Sequence, residues 1–375
     1  MTNKPCIVHV TSVHTSGDAR VFHKQCCSIA EAGYDTHLVL AGEKDRTVNG
    51  VQIHSVPKAS NRILRLLVTT LRVAQKAISL KPSVIQFHDP ELIPIMLLLR
   101  AAGHKIVYDI HEDYVTSISQ KEYLFKPLAK LIGKVFGAFE KASSIAFTCL
   151  LAERYYIERF PLGKQILNYP LNKMLPFADN SQTDKADNKI KVLYTGGHWF
   201  DRGGQIHANI VNLIPNLEVY LIGKCSEEWA KELNEIAGAN LDKLHIEGAG
   251  YRVPYEDILS KYQQGNWTAG LAIFPDKGHH KRKELTKFYE YMAAGIPVVC
   301  SDFPVWKNLI EGEGVGLTVC PDSSEEITNA ILYLINNPEK AQEMGARGRK
   351  AVIEKYNWDV EAKKLLSIYK KILEC

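Results

Sequence analysis

Short apolar runs alternate with amphipathic helical patterns along the chain of 375 residues, and the alternation begins again near residue 190. In the first half, strands are predicted near 6–12, 36–41, 84–87, 105–110 and 144–148, with helices near 20–32, 62–80, 91–102, 126–140 and 150–159. In the second half, strands are predicted near 190–197, 217–223, 243–248, 269–275, 297–302 and 315–319. Repeated strand–helix units form parallel sheets with helices on both faces. The sequence therefore predicts an α/β protein with two doubly wound, Rossmann-like domains that face a cleft.

A segment without hydrophobic periodicity separates the two halves. Residues 169–189 are rich in Pro, Asn and Asp, which is typical of a linker. We therefore predict an N-terminal domain over 1–168 and a C-terminal domain over 190–355. The last segment, 356–375, is predicted to be a helix that packs back on the N-terminal domain.

The composition predicts an ordinary globular protein, because 46% of the residues are hydrophobic and 23% are charged. The longest uninterrupted apolar run, Ile95 to Leu99, is far too short to span a bilayer, and no signal-peptide pattern precedes the first strand. The eight cysteines show no CxxC pair and no metal-type spacing with histidine. We expect reduced, mostly buried thiols, a cytoplasmic location and no bound metal.

Positive charge is concentrated in the first half of the chain. Residues 1–170 carry 21 Lys/Arg against 14 Asp/Glu, whereas residues 171–375 carry 25 against 28. Two predicted helices each carry a basic stripe, formed by Arg62, Arg65, Arg72 and Lys76 in one and by Lys126, Lys130 and Lys134 in the other. In the first of them the apolar residues are predicted to face the other way, namely Leu64, Leu67, Leu71, Ala74 and Ile78.

Basic amphipathic helices of this kind favour anionic lipid headgroups. We therefore predict a peripheral association with the inner face of the plasma membrane. The alternative, solvated faces of ordinary core helices, stays open. Nucleic acid is not expected as a partner, because no aromatic-rich basic motif accompanies the charge.

The segment KELTKFYEYMAAGIPVVCSD, residues 283–302, joins a helix to a buried strand and carries groups suited to a nucleotide. Thr286 is predicted to be the N-cap of the helix and Gly295 its left-handed C-terminal residue. A helix N-terminus attracts phosphate, and Glu290, on the same face as Lys287, can accept hydrogen bonds from ribose hydroxyls. Phosphate and ribose together indicate a nucleotide. An ordinary strand connection with a solvated Glu–Lys pair is the alternative.

Loops after other predicted strands carry further candidates. Gly17 lets the backbone approach a ligand, and Asp18 is predicted to cap the helix that follows. Asp109, His111 and Glu112 cluster at the end of the fourth strand, where we expect a functional role. Capping of a turn by Asp109 and simple packing of His111 are the alternatives.

Corresponding loops in the second half contain glycines and a cation. Gly197 and Gly223 are predicted to end two successive strands, and Arg202 lies at the start of a helix, where its guanidinium suits a pyrophosphate. No GxGxxG motif follows either first strand, so an NAD-dependent dehydrogenase is disfavoured.

Together these stretches resemble family 4 glycosyltransferases, which are retaining enzymes with the GT-B fold. The resemblance rests on DARVFHKQCCSIAEAGYDTHLVL (18–40), HDPELIP (88–94), VYDIHEDY (107–114), LNYP (167–170) and KFYEYMAAGIPVV (287–299). These stretches are common in bacterial surface-polysaccharide members, and the last is typical of a branch with the form KxxEYMAAGxPVV. The resemblance implies that the C-terminal domain holds a nucleotide-sugar donor. It also implies that the N-terminal domain holds a glycan or lipid-linked glycan acceptor.

Roles for individual donor-site residues follow from the same resemblance. Glu290 would bind the ribose hydroxyls. Arg202 and Lys287 would neutralise the diphosphate, with help from backbone amides near Leu285 and Thr286.

The resemblance assigns two further roles and shows two departures. Gly17 would let the first loop approach the donor phosphates, and His111, the catalytic candidate, would contact the sugar close to its anomeric carbon. Many members carry a second glutamate eight residues before Glu290, where this chain has Arg282, and an arginine where this chain has Gly197. The first departure puts in doubt any contact of a paired glutamate with the transferred sugar.

The implied reaction is transfer of a hexose with retention, without a metal and without a protein nucleophile. Such a reaction needs cations and helix dipoles where phosphate charge develops, rather than a strong base. UDP is favoured over GDP as the donor nucleotide. Two rivals stay open: a nucleotide-sugar epimerase, which needs no acceptor, and a donor-binding partner subunit that has lost activity.

Overall fold

The chain forms two compact units. The computed structural model describes residues 4–61, 64–112, 114–115, 126–176, 190–263, 266–276 and 280–374. One unit comprises Met1–Asn168 together with Trp358–Cys375, and the other comprises Tyr169–Asn357. Each contains one open sheet.

The first unit has an eight-stranded sheet. Its strands are β1 (Cys6–Val10), β2 (Asp35–Ala41), β3 (Arg46–Val48), β4 (Val51–Val56), β5 (Val84–Phe87), β6 (Ile106–Ile110), β7 (Thr148–Leu151) and β8 (Lys164–Gln165). Their order is β3-β4-β2-β1-β5-β6-β7-β8. All neighbours are parallel except β3 and β4, which form an antiparallel hairpin.

The helical segments of this unit connect or cover those strands. They are Ala19–Cys26, Cys27–Glu31, Arg65–Thr69, Thr70–Ser79, Pro90–Leu92, Ile93–Ala101, Lys126–Ser144, Arg154–Glu158 and Trp358–Glu374. The first begins as a π-helix, and Asp18 caps it as predicted: its Oδ1 accepts hydrogen bonds from the amides of Arg20 and Val21 at 2.9 and 2.7 Å.

Several predicted elements of the first unit are wrong in detail. The helix Lys126–Ser144 continues past its predicted end, so the strand expected at 144–148 begins only at Thr148. The helix expected at 150–159 is reduced to the 3₁₀ turn Arg154–Glu158. The β3–β4 hairpin was not predicted, although its turn, Asn49–Gly50, has the positive φ angles that an Asn-Gly hairpin turn requires.

The second unit has a six-stranded, fully parallel sheet. Its strands are β9 (Ile190–Thr195), β10 (Leu217–Cys225), β11 (Leu244–Ala249), β12 (Trp267–Ala272), β13 (Val298–Ser301) and β14 (Gly316–Val319). Their order is β11-β10-β9-β12-β13-β14. The helical segments are Asn172–Met174, Phe200–Arg202, Gly204–Asn209, Ile210–Asn212, Glu227–Ala237, Gly238–Lys243, Tyr255–Gln263, His280–Arg282, Thr286–Ala294, Pro304–Ile310, Ser324–Asn336 and Pro338–Glu354.

Both sheets reverse their strand order beside their first strand. The reversals lie between β1 and β5 and between β9 and β12. In sheets of this kind, ligands bind outside the carboxyl ends of the strands at the switch point. The predicted fold class, two Rossmann-like α/β units, is confirmed.

The C-terminal helix Trp358–Glu374 belongs to the first unit. The indole Nε1 of Trp358 donates a hydrogen bond to Oγ of Ser28 at 2.9 Å. The buried carboxylate of Glu361 accepts one from the amide of Leu167 at 2.9 Å. Within the described ranges, no helix combines the length and the apolar character needed to cross a membrane.

Candidate active site

A cavity of about 400 Å³ opens at the switch point of the second unit, beside the carboxyl ends of β9 and β12. Five residues predicted for the donor site line it, namely Arg202, Leu285, Thr286, Lys287 and Glu290. Thr195, Tyr255 and Lys283 also line it and were not predicted. The structure therefore brings most of the predicted donor residues together in one place.

The helix Thr286–Ala294, called the site helix below, forms one wall of the cavity. Its N-cap is Leu285, whose backbone is extended and whose side chain makes no capping bond. The prediction of Thr286 as N-cap is therefore wrong by one residue. Gly295 ends the helix in the left-handed conformation, with φ of 73°, as predicted. The first amides of a helix have no acceptor within it, so they suit an anion.

Lys287 carries a buried ammonium at the start of the site helix. Its Nζ lies 3.5 Å from the ring centroid of Tyr194 and 5.3 Å from that of Phe274. Across the described parts of the chain, no hydrogen-bond acceptor contacts this atom. Burial, and then the charge of Arg202, lower the pKa of Lys287 well below its usual value, while Glu290 opposes the change. A bound anion would supply the missing partner.

Glu290 lies one turn further on and is also buried. Its Oε1 accepts a hydrogen bond from the hydroxyl of Tyr255 at 2.8 Å, and its Oε2 accepts one from Tyr262 at 2.7 Å. Burial raises the pKa of Glu290, while these hydrogen bonds and Lys287 oppose the rise. The alternative of a solvated pair between Glu290 and Lys287 is wrong, because both charged groups are enclosed. Each carboxylate oxygen retains a lone pair for a ligand.

Sequence reasoning missed the two tyrosines that hold Glu290. Tyr255 and Tyr262 lie seven residues apart on the helix Tyr255–Gln263, so they share one face. The hydroxyl of Tyr262 also lies 2.6 Å from Oγ1 of Thr195, at the end of β9. The spacing of two tyrosines by two helical turns was the available signal.

Two glycines let the loops approach each other closely. Gly203 has a φ of 74°, and a Cβ there would lie 1.9 Å from the carbonyl oxygen of Ile273, so only glycine lets this loop carry Arg202 to the cavity. Gly223 has a φ of 150°, and its Cβ would lie 2.2 Å from the carbonyl oxygen of Gly196. The prediction that a strand ends at Gly223 is wrong, because β10 continues through an irregularity to Cys225.

Gly197 lies in the loop after β9, beside the indole of Trp199. A Cβ at Gly197 would lie 2.9 Å from the indole Nε1, so the loop tolerates a larger residue only if the indole shifts. Neither Gly197 nor Gly223 lines the cavity; both shape the strand ends that border it.

In the first unit, a buried network lies beneath His111, which follows β6. Asp109 is fully buried, and its Oδ1 accepts a hydrogen bond from Nη2 of Arg20 at 2.7 Å. Its Oδ2 accepts from Nε2 of Gln25 at 2.9 Å and contacts Nδ1 of His88 at 3.1 Å. Although burial opposes it, Arg20 and the histidines hold the pKa of Asp109 well below its usual range. Asp109 therefore supports the end of β6 rather than capping a turn.

The first loop, residues 11–18, is held by the carboxylate of Asp89, in the turn after β5. Oδ2 of Asp89 accepts hydrogen bonds from the amide of Ser12 and Oγ1 of Thr11, both at 2.7 Å. A Cβ at Gly17 would meet only Oγ1 of Thr15, at an ordinary 3.7 Å. The packing of the loop thus does not itself require glycine at 17, and the role of Gly17 beside donor phosphates stays a prediction.

Among the residues that the structure describes, two groups of side chains are close enough to share a metal ion: His88, Asp109 and His111, and Cys6, Asp35 and His37. In the first group, Nδ1 of His111 faces the carbonyl oxygen of Asp109 at 3.2 Å, so that nitrogen carries a hydrogen rather than a free lone pair. In the second, the thiol of Cys6 donates a hydrogen bond to the carbonyl oxygen of Leu80 at 3.5 Å, and Nε2 of His37 contacts Oδ2 of Asp35 at 3.1 Å. We interpret both groups as hydrogen-bonded clusters.

The predicted basic surface of the first unit needs correction. Arg62 lies outside the described residues. Arg65 is not a free surface cation, because its Nε and Nη2 each donate to the carboxylate of Glu91 at 2.9 Å. Arg72 is exposed, and Lys76 is half-buried. The cations of the second helix, Lys126, Lys130 and Lys134, are all exposed.

The apolar side of the first basic helix was also placed wrongly. Leu64, Leu67, Leu71 and Ile78 are exposed, whereas Val73, Ala74 and Ala77 are buried. The π-helical turn Arg65–Thr69 breaks the 100° spacing on which the prediction rested. Basic and apolar side chains therefore share the solvent-facing surface.

Comparisons with known proteins agree with this architecture. Residues 205–367 match the family described as "Glycosyl transferase-like". Phosphatidyl-myo-inositol mannosyltransferase of Mycobacterium leprae is 31% identical over 306 residues, which cover 77% of this chain and 73% of that protein. The enzyme of the same name from Mycolicibacterium smegmatis is 23% identical over 306 residues, covering 77% and 71%.

Solved structures share the fold over nearly the whole chain. Sucrose-phosphate synthase from Thermosynechococcus elongatus has a TM-score of 0.75 at 15% identity, covering 99% of this chain and 100% of that one. Anabaena Alr3699/HepE in complex with UDP has a TM-score of 0.68 at 15% identity, covering 97% and 99%. The chain belongs to the glycosyltransferases of the GT-B type. Among them it is related to mannosyltransferases of mycobacteria.

Proposed function

We propose that this protein is a retaining hexosyltransferase of family 4, in the KxxEYMAAGxPVV branch. It moves a sugar from a nucleotide-diphosphate donor to a hydroxyl of a lipid-linked surface-polysaccharide precursor. The observation that carries the proposal is the cavity of the second unit. There, Lys287, Arg202 and Lys283 lie with the N-terminus of the site helix, one turn from the carboxylate of Glu290. Nζ of Lys287 has no acceptor within the described parts of the chain.

The cavity suits the two polar parts of a nucleotide diphosphate. Phosphate oxygens would pair with Arg202, Lys287 and the backbone amides near Leu285 and Thr286. Ribose hydroxyls would donate to Glu290, which the tyrosines hold in place. Because the same cations stabilise the charge that develops on the leaving phosphate, we propose that the transfer needs no metal.

The nucleotide of the donor is proposed to be UDP. The Anabaena protein was solved with UDP and with UDP-glucose, which supports this choice. A Mycobacterium tuberculosis relative that is 32% identical over 78 residues, 21% of this chain, is named as GDP-mannose-dependent. GDP-sugars are therefore the comparison in any donor test.

The acceptor side is proposed for the first unit. His111 would contact the transferred sugar near its anomeric carbon, and Gly17 would admit the donor phosphates to the first loop. The relative from Mycobacterium leprae is named for a lipid, phosphatidyl-myo-inositol, which supports a lipid-linked acceptor here.

A peripheral membrane position is part of the proposal. On the helix Lys126–Ser144, Leu131 and Val135 are 58% and 62% exposed and lie beside Lys130 and Lys134. An interfacial helix presents this mixture, because apolar side chains enter the headgroup region while lysines bind anionic lipid. We place the protein at the inner face of the plasma membrane on this ground.

A donor screen tests the proposed function. Melting temperature is measured with UDP-glucose, UDP-galactose and GDP-mannose, since a ligand that binds only the folded state raises it. Donors that bind are then incubated with a membrane-lipid extract, and the products are separated. The proposal expects a glycolipid with retained anomeric configuration. Free epimerised sugar would indicate the epimerase, and binding without any turnover would indicate an inactive partner subunit.

A further inference from the structure

His14, in the first loop, is paired with His111 across a short distance. Nε2 of His14 lies 3.1 Å from Nε2 of His111, and the two rings are tilted with centroids 4.9 Å apart. Both side chains are nearly buried, with 13% and 9% of their surface exposed. The resemblance to known enzymes gives His14 no role.

The neighbours of the two rings fix where the hydrogens lie. Nδ1 of His14 faces Oδ2 of Asp18 at 3.1 Å, and a carboxylate oxygen can only accept, so this nitrogen carries a hydrogen. Nδ1 of His111 faces the carbonyl oxygen of Asp109 at 3.2 Å and must also donate. One of the two rings must supply the hydrogen between the two Nε2 atoms.

The position of Asp89 favours a hydrogen on Nε2 of His14. Oδ1 of Asp89 is buried, accepts no other hydrogen bond among the described residues, and lies 3.4 Å from Nε2 of His14. A bare lone pair on that nitrogen would face the lone pairs of the carboxylate. A hydrogen on Nε2 of His14 instead faces both Asp89 and the lone pair of His111.

We infer that His14 is an imidazolium that donates to Nε2 of His111 and keeps His111 neutral. This inference rests on the proposed function for its catalytic meaning, since it makes His14 a positioning residue for His111. A second proton on His111 would bring two cations within 3.1 Å of each other, which their repulsion disfavours. The neutral His111 keeps its Nε2 lone pair, which accepts the hydrogen bond from His14 and so holds the imidazole in one orientation beside the proposed position of the sugar.

The charged groups around His14 agree with this assignment. Although burial opposes it, Asp18, Asp89 and Glu112 raise the pKa of His14 to about 9. They face it from the first loop itself, from the turn after β5 and from the loop after β6. His111 is the other titratable group in contact with the ring.

The protonation state is testable without any enzymatic assay. The chain is labelled with ¹⁵N-histidine, and nitrogen shifts are recorded at pH 7.5, with assignment by difference from His14→Gln and from His111→Gln. We expect the shift pattern of an imidazolium for His14 and of a neutral ring for His111. A neutral His14 at this pH overturns the inference. This result stands even if no transfer activity is found, so failure of the proposed function is recognised separately.

The pH dependence of transfer tests the consequence for His111. His14→Gln removes the cation whose repulsion disfavours a second proton on His111, so the acidic limb of kcat should move to higher pH by about one pH unit or more. His14→Arg keeps a cation and should leave the limb near its wild-type position. His104→Gln, before the amino end of β6, is the matched control and should not move it. An unshifted limb in His14→Gln, or equal shifts in Gln and Arg variants, contradicts the positioning role.

Discussion

The buried cationic groups at the two switch points differ in whether they have acidic partners. In the first unit, Arg20 pairs with Asp109, and His14 lies against Asp18 and Asp89. In the second unit, within the described residues, the ammonium of Lys287 meets only aromatic rings and no acceptor. The cations of the first site each contact a carboxylate, whereas the buried amine of Lys287 has no acceptor among the described residues, and an anion would supply one. The difference supports the proposal that the second unit binds the charged donor.

The contrast between the two units predicts different effects of mutation on stability. A buried charge without a partner destabilises a fold, and removing one partner of a buried ion pair is strongly destabilising because it leaves the other charge in that state. Removing a cation should therefore have opposite consequences in the two units. In the first unit, the variant should lose stability. In the second unit, it should lose transfer activity and keep its stability.

The largest effect is expected from Arg20→Met in the first unit. The variant leaves the Asp109 carboxylate buried without its cation, which should lower the free energy of unfolding by about 3–5 kcal/mol. Urea denaturation followed by circular dichroism measures it. Lys340→Met, which removes a cation from an exposed pair with Glu343, is the control and should cost less than about 0.5 kcal/mol. Equal losses of unfolding free energy in the two variants would show that the buried pair of Arg20 and Asp109 matters no more for stability than an exposed pair.

Arg202→Ala in the second unit should strongly reduce transfer activity and leave the fold intact. Loss of one group that stabilises phosphate charge should lower kcat/KM for transfer by about 100- to 1,000-fold. Initial rates with the donor found in the screen measure the change, and the melting temperature should stay within error of wild type. Lys307→Ala, an exposed lysine that does not line the cavity, should keep full activity. Normal transfer by Arg202→Ala would refute the assigned donor site.

The surfaces of the two units should differ as well. Replacing Lys126, Lys130 and Lys134 with Gln should weaken binding to vesicles of phosphatidylglycerol and phosphatidylcholine by about 1 kcal/mol per lysine. Sedimentation of protein with the vesicles at low and at physiological salt measures this loss. The matched control removes three exposed lysines of the second unit, Lys231, Lys340 and Lys350, and should leave binding unchanged. Equal losses in both triple variants would show that net charge alone, and not this surface, attracts the vesicles.

The smallest effect is expected from Tyr255→Phe. Its hydroxyl lowers the pKa of Glu290, so its removal should raise that pKa and move the acidic limb of donor binding to higher pH. The loss of one hydrogen bond to a charged group should weaken donor binding by about 1.5 kcal/mol, measured by calorimetry at pH 7.5. Tighter binding by the variant would mean that the tyrosine competes with the donor for Glu290.

The sequence was most informative where local rules decide the structure. The strand and helix pattern, the cap at Asp18 and the left-handed Gly295 each depend on a few neighbouring residues. The contacts of Glu290 with Tyr255 and of His111 with His14 could not be predicted, because they join residues 35 and 97 positions apart in the chain. The exposed Leu67 was placed wrongly because a π-turn changed the helical phase.

Lys287→Met tests most directly whether the buried amine of Lys287 in the second unit binds an anion. Methionine fills similar space without the buried amine, so the variant without ligand should melt at the wild-type temperature or above it. Saturating UDP or GDP should raise the melting temperature of wild type and leave that of Lys287→Met unchanged. An equal ligand-induced rise in both proteins, or a variant that melts several degrees lower without ligand, would contradict the account.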